Sequence, residues 1–140
     1  MTIMNLQELI PKDKFDIEAI KRLSDANTEQ IASIATPLLE WIADMNWPVA
    51  LELINALPRF HKGLIPSIKY ILIDQEKDPI WKYWIITQLL VQFPKESQSE
   101  FLPVIKGFAE LTPKNEDEIE LKRGALDFLS QFGNTTNISL

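Results

Sequence analysis

The chain has no cysteine, a single histidine and only four glycines among its 140 residues. Without thiols there is no disulfide framework and no thiolate metal site. The glycines, at positions 63, 107, 124 and 133, stand far apart, so no glycine-rich loop is available to cradle a phosphate. His61 sits in the string RFHKG with no partner close in sequence. A general acid–base residue needs such a partner within hydrogen-bond reach, so His61 reads as a residue of a surface turn. Clustered basic charge is missing as well. The formal net charge is −6, which opposes binding along a phosphate backbone. No apolar run approaches the ~20 residues that span a membrane. The N-terminal string MTIMNLQELIPKDK lacks the basic-then-apolar order of a secretory signal. These absences predict a cytoplasmic chain with no cofactor, no metal, no nucleic-acid partner and no membrane partner.

Apolar residues recur at helical rather than strand spacing, and no stretch alternates with period two. The fold is therefore read as all-α. The longest apolar segment is 78–93, DPIWKYWIITQLLVQF. Asp78 supplies an N-cap oxygen, Pro79 suits the first helical position, and Pro94 stops the run. A helix apolar on nearly every side needs neighbours on most sides. Upstream, 5–10 reads as a short helix stopped by Pro11. Asp13 or Asp16 caps a helix through Leu23, residues 24–27 form a turn, and Thr28 opens the next helix.

Self-similarity organises these pieces. The string PLLEWI at 37–42 aligns with PSIKYI at 66–71 and PVIKGF at 103–108, with the prolines 29 and 37 residues apart. Each copy leads through acidic residues to a second helix, at Asp44, Asp78 and Asp117. The expected layout is one domain over 1–140. Within it, a helical cap at 1–35 precedes antiparallel pairs at about 37–60, 66–94 and 103–133. A loose tail at 134–140 follows a helix C-cap at Gly133. Helix pairs that cannot bury their faces alone stack on one another. The expected architecture is thus a short right-handed α-solenoid.

The first pair, with Pro37, Leu38, Leu39, Trp41, Ile42, Asp44 and Val49, resembles a HEAT repeat, although Ala50 stands where that pattern usually has arginine. The strings IPKDK at 10–14, WIADMNWPVA at 41–50 and WKYW at 81–84 resemble an uncharacterised family of short bacterial proteins, a domain of unknown function. That likeness spans about 8–94 and implies a small helical-repeat fold without implying any activity.

Among side chains suited to recognition, Trp41 and Trp84 fall within apolar stripes and are read as core. Trp47 and Trp81 occupy equivalent places at the starts of successive second helices. There, core packing competes with a role as an interface anchor. The acids Asp44, Asp74, Glu76, Asp78, Glu116, Asp117 and Glu118 are explained first as helix caps and macrodipole partners, second as a strip for a basic partner. Lys12 and Lys14 read as a surface turn. The second helices present Glu52, Asn55, Arg59, Lys82, Gln88 and Gln92. With no catalytic motif, the expected function is a non-catalytic protein-binding or scaffold module. Its candidate partner-binding residues are Asp44, Asn46, Trp47, Asp78, Trp81 and Lys82. The narrower alternative is an immunity-type inhibitor of a basic toxin. An alternative of another class is a HEAT-like nucleic-acid-processing enzyme, which the negative charge disfavours.

Overall fold

Short polar side chains set the helix starts. In a computed structural model that describes residues 5–138, with side chains to residue 133, Asn5 accepts from the Gln7 N–H at 3.0 Å and opens a 3₁₀ turn at Leu6–Leu9. Of the two acids offered as the next cap, Asp16 is the one used. Its carboxylate accepts from the backbone N–H groups of Lys12 and Ala19. The first of these bonds is the main cause holding its carboxyl below the usual range. Helix α1 (Ile17–Lys21) follows, extended by a 3₁₀ turn at Arg22–Asp25. Asn27 and Gln30 then form a reciprocal capping box at the start of α2 (Thr28–Ser33). A break at Ile34 separates α2 from α3 (Ala35–Glu40), and α4 (Pro48–Ala56) begins on Pro48 as its first residue.

Among the described residues every regular element is helical. None of the helices is long and apolar enough to cross a membrane. The chain divides after Ile68 into two compact units, 1–68 and 69–140, and the division falls inside α5 (His61–Ile73).

In the first unit α1 packs on α4. The Val49 N–H donates to the Lys14 carbonyl at 3.1 Å, tying the start of α4 to the chain just before α1. Leu23, Ile31, Leu38, Leu39, Leu53 and Leu57 are all fully buried. Gly63 is explained by space rather than by backbone angle. A Cβ there would stand 2.7 Å from the Thr28 carbonyl oxygen, so only glycine lets α5 approach the start of α2 this closely.

The expected turn around His61 does not form. Leu57–Phe60 is a 3₁₀ turn that passes directly into α5, with His61 already helical at φ −50°, ψ −42°. Pro66, read as an early residue of a new helix, consequently lies inside α5.

In the second unit the apolar segment is helical, as its sequence requires, but not as one regular α-helix. Helix α6 (Pro79–Trp84) passes into a π turn at Ile85–Leu89 and a 3₁₀ turn at Leu90–Gln92. Phe93 then turns extended ahead of Pro94. A side chain repairs this change of pitch: buried Gln98, on α7 (Lys95–Ser99), donates to the Leu90 carbonyl at 2.9 Å. Helices α8 (Leu102–Ala109) and α9 (Glu116–Ile138) complete the unit, with α9 packed on α6, the π turn and α8. Gly124 of α9 lies over Tyr83 and Thr87, whose carbons would stand 2.9 Å from an added Cβ.

The start of α9 lies one residue earlier than Asp117, because Asn115 accepts from the Glu118 N–H at 2.9 Å and the helix begins at Glu116. Gly133 is not a C-cap. Backbone helix continues through it to Ile138, which replaces the expected loose tail over 134–138; residues 139 and 140 lie outside the described residues, as do 1–4 of the expected cap.

Candidate functional site

Two helix starts carry the residues singled out in the sequence, one in each unit. In the first, residues 41–47 form a turn organised by Asp44. Its carboxylate accepts from the Asn46 N–H at 2.9 Å, and its carbonyl accepts from the Trp47 N–H at 3.1 Å. Asn46 is exposed, while Asp44 and Trp47 are half-buried. The Trp47 ring meets Trp41 edge-on, with centroids 5.5 Å apart and planes at 66°. That T-shaped geometry sets a ring edge against a ring face, the favoured aromatic arrangement. Trp41, expected in the core, is only half-buried. Four residues beyond Trp47, Leu51 is 57% exposed on α4.

The second site begins in the loop 74–78. Asp74 accepts from the Glu76 N–H and Asp78 from the Ile80 N–H, each through its carboxylate, at 2.9 and 2.8 Å. Asp44, Asp74 and Asp78 are therefore local turn and cap acceptors. Immediately after the Asp78 cap, Trp81 and Lys82 both turn inward, 8% and 5% exposed. The spacing places Lys82 on a presented helix face; the structure buries it. Trp84, assigned to the core, is half-buried with its ring against Tyr83 at 5.0 Å. Sequence spacing could not separate these cases, because a nearly all-apolar helix shows no polar face from which to set its rotation.

Lys82 makes an unusual buried cation. Its ammonium donates to the Asp74 carbonyl at 2.8 Å and lies 5.5 Å from the centroid of the Phe108 ring. Among the described residues no carboxylate lies within salt-bridge distance. Burial pulls its pKa below the ordinary lysine value, and the Asp74 charge opposes that shift only in part. Beside it opens a cleft of about 560 Å³. Apolar walls come from Leu72, Ile73, Val104, Phe108, Leu111 and Leu121, while Lys77, Lys82, Lys114 and Glu118 supply its charges. Sequence reading missed this cleft. Its lining comes from α5, α6, α8, α9 and the loops before α6 and α9, segments that no local pattern joins.

Of the six candidates, Asp44, Asn46 and Trp47 share one turn, and Asp78, Trp81 and Lys82 share one helix start. Lys82 is the one of them that lines the cleft of about 560 Å³ among the described residues.

The match to known families decides the affiliation. A domain of unknown function, DUF5071, covers residues 9–129. This chain belongs to the DUF5071 family. No curated protein matches it. In this DUF5071 chain the matched span takes in both sites, the tryptophan turn and the lysine cleft, and ends inside α9.

Proposed function

We propose that this DUF5071 chain is a non-catalytic protein-binding module of the cytoplasm. In this reading its helix pairs stack as a short HEAT-like solenoid, and the tryptophan turn of the first unit contacts the partner. One observation carries the proposal: Trp47 stands half out of the surface, edge-on to Trp41, in a turn that Asp44 holds in place. A rigid, amphipathic ring loses little conformational freedom on binding, and tryptophan is enriched among the few residues that dominate interface energy. Exposed Asn46 adds hydrogen-bonding groups beside it.

The test is affinity capture from the source organism's lysate with the wild-type chain and with Trp47→Ser, quantified side by side. At least one protein is expected to be enriched by the wild type and reduced tenfold or more by the variant. Equal recovery by both chains, or enrichment by neither, would overturn the assignment of the turn.

A further inference from the structure

The cleft beside Lys82 is chemically at odds with the rest of the chain. The protein as a whole carries a net charge of −6, yet three lysines and one glutamate line this single cavity. Of these, Glu118 already accepts through its carboxylate from the Lys114 backbone N–H at 3.1 Å. Lys77 lies 5.9 Å from the Tyr70 ring centroid. The innermost cation, Lys82, is 95% removed from solvent and bonded to one neutral carbonyl. An ammonium carries three donors, and a buried charge with no carboxylate at salt-bridge distance among the described residues is costly. A surface lysine would simply extend into water; this one is held inward against Phe108.

We propose that the cleft is a binding site for a small amphiphilic monocarboxylate, with Lys82 as the counter-ion and the apolar walls taking the tail. Its carboxylate accepts from the ammonium N–H groups that the Asp74 carbonyl does not use. The tail lies between Val104 and Phe108 of α8, Leu72 of α5 and Leu121 of α9. Lys77 and Lys114 supply further positive charge in the lining. The volume is in the range of small-ligand pockets, on the order of 300–1,000 Å³, and the pattern of apolar walls with few polar groups is theirs too. One deeply placed cation suits one terminal carboxylate better than a series of acidic side chains. No bond is made or broken.

The probe is sodium octanoate, titrated calorimetrically into the full chain at low salt, with 1-octanol and sodium acetate as controls. Octanoate is expected to bind at one site, at least tenfold more tightly than either control. Lys82→Met, which keeps the length of the side chain without its charge, is expected to lose at least tenfold in octanoate affinity. Equal binding of octanol and octanoate would overturn the proposal in favour of an uncharged apolar cleft. Absence of octanoate binding overturns it outright. So does binding of N-acetyl-trileucine with a free C-terminus when octanoate fails, which would assign the cleft to peptide ends. If Lys82→Met does not fold, the wild type still decides. Amide shifts on octanoate addition must then centre on residues around Lys82, Phe108 and Leu121, and shifts centred elsewhere refute the site.

Discussion

Two stretches with the same outline, an aspartate followed within four residues by a proline and a tryptophan, end in opposite environments. In 44–48, DMNWP, the tryptophan precedes the proline and therefore the helix, so its ring lies on the turn and stays half out. In 78–82, DPIWK, the proline comes first, and Trp81 falls in the first turn of α6, where α9 packs and the ring is 8% exposed. One transposition in order moves the ring from before a helix to inside it. The difference teaches that aligning the two tryptophans by sequence offset equates residues that occupy different structural positions. A cap residue and a helical residue point their side chains in different directions.

The comparison can be broken most directly at the rings. Trp81→Ala is expected to destabilise the chain by roughly 3–5 kcal/mol, as a large-to-small change in a closed core. Chemical denaturation measures it, and a loss no greater than that of Trp84→Ala would mean that Trp81 is not the buried partner. Next in size is Gly63→Ala in the first unit. Its methyl would collide with the Thr28 carbonyl, a backbone atom that cannot swing away, for an expected loss of about 1–3 kcal/mol. In Gly124→Ala of the second unit the atoms nearest the new methyl are side-chain carbons of Tyr83 and Thr87, and the change should cost less. A reversed order would show that α9, not α5, is the tighter contact.

Asp16→Ala comes third, at about 1 kcal/mol near neutral pH for a lost cap. Because the folded state lowers the Asp16 pKa, its contribution is complete above the unfolded value of about 3.9 and is lost as pH falls through the lower folded value. The gap between wild type and variant should therefore close on acidification; a gap that persists at low pH would assign it to packing. Trp47→Ala is smallest, at about 1 kcal/mol or less, for loss of one edge-on ring pair.

Lys82 sharpens the same contrast through pH. Its folded pKa lies below the unfolded value of about 10.4, so the unfolded chain binds more protons between the two. Stability should rise with pH across that window, and this component should vanish in Lys82→Met. An unchanged alkaline slope in the variant would show that other groups produce it.

Much of the fold was legible. The all-helical class follows from apolar spacing, and the Asp78 cap, Pro79 and the Pro94 stop follow from backbone chemistry that acts within a few residues. The Asp44, Asp74 and Asp78 carboxylates each serve the local acceptor role that their positions indicate. Less was legible where helical conformation ran on past its ordinary signals. The string RFHKG looked like a turn, yet Leu57–Phe60 joins α5 without leaving helical geometry, because Gly63 is needed for contact with α2 rather than for bending. Gly133, similarly, sits in helix and ends nothing. The six-residue likeness around Pro37, Pro66 and Pro103 is real in sequence. Those prolines nonetheless occupy the third position of α3, the interior of α5 and the second position of α8.

By itself, then, the sequence determined the all-helical class, the Asp78 helix start with its Pro94 stop, and membership in a family matched over 9–129. These are properties of local backbone chemistry and of long residue strings. Tertiary structure alone decided which tryptophan is buried, why Lys82 faces inward, and that a cation-lined cleft exists. The physical reason is that burial depends on the rotation of each helix against its neighbours. An apolar helix such as α6 carries no polar stripe to announce that rotation, so contacts with α8 and α9 settle it.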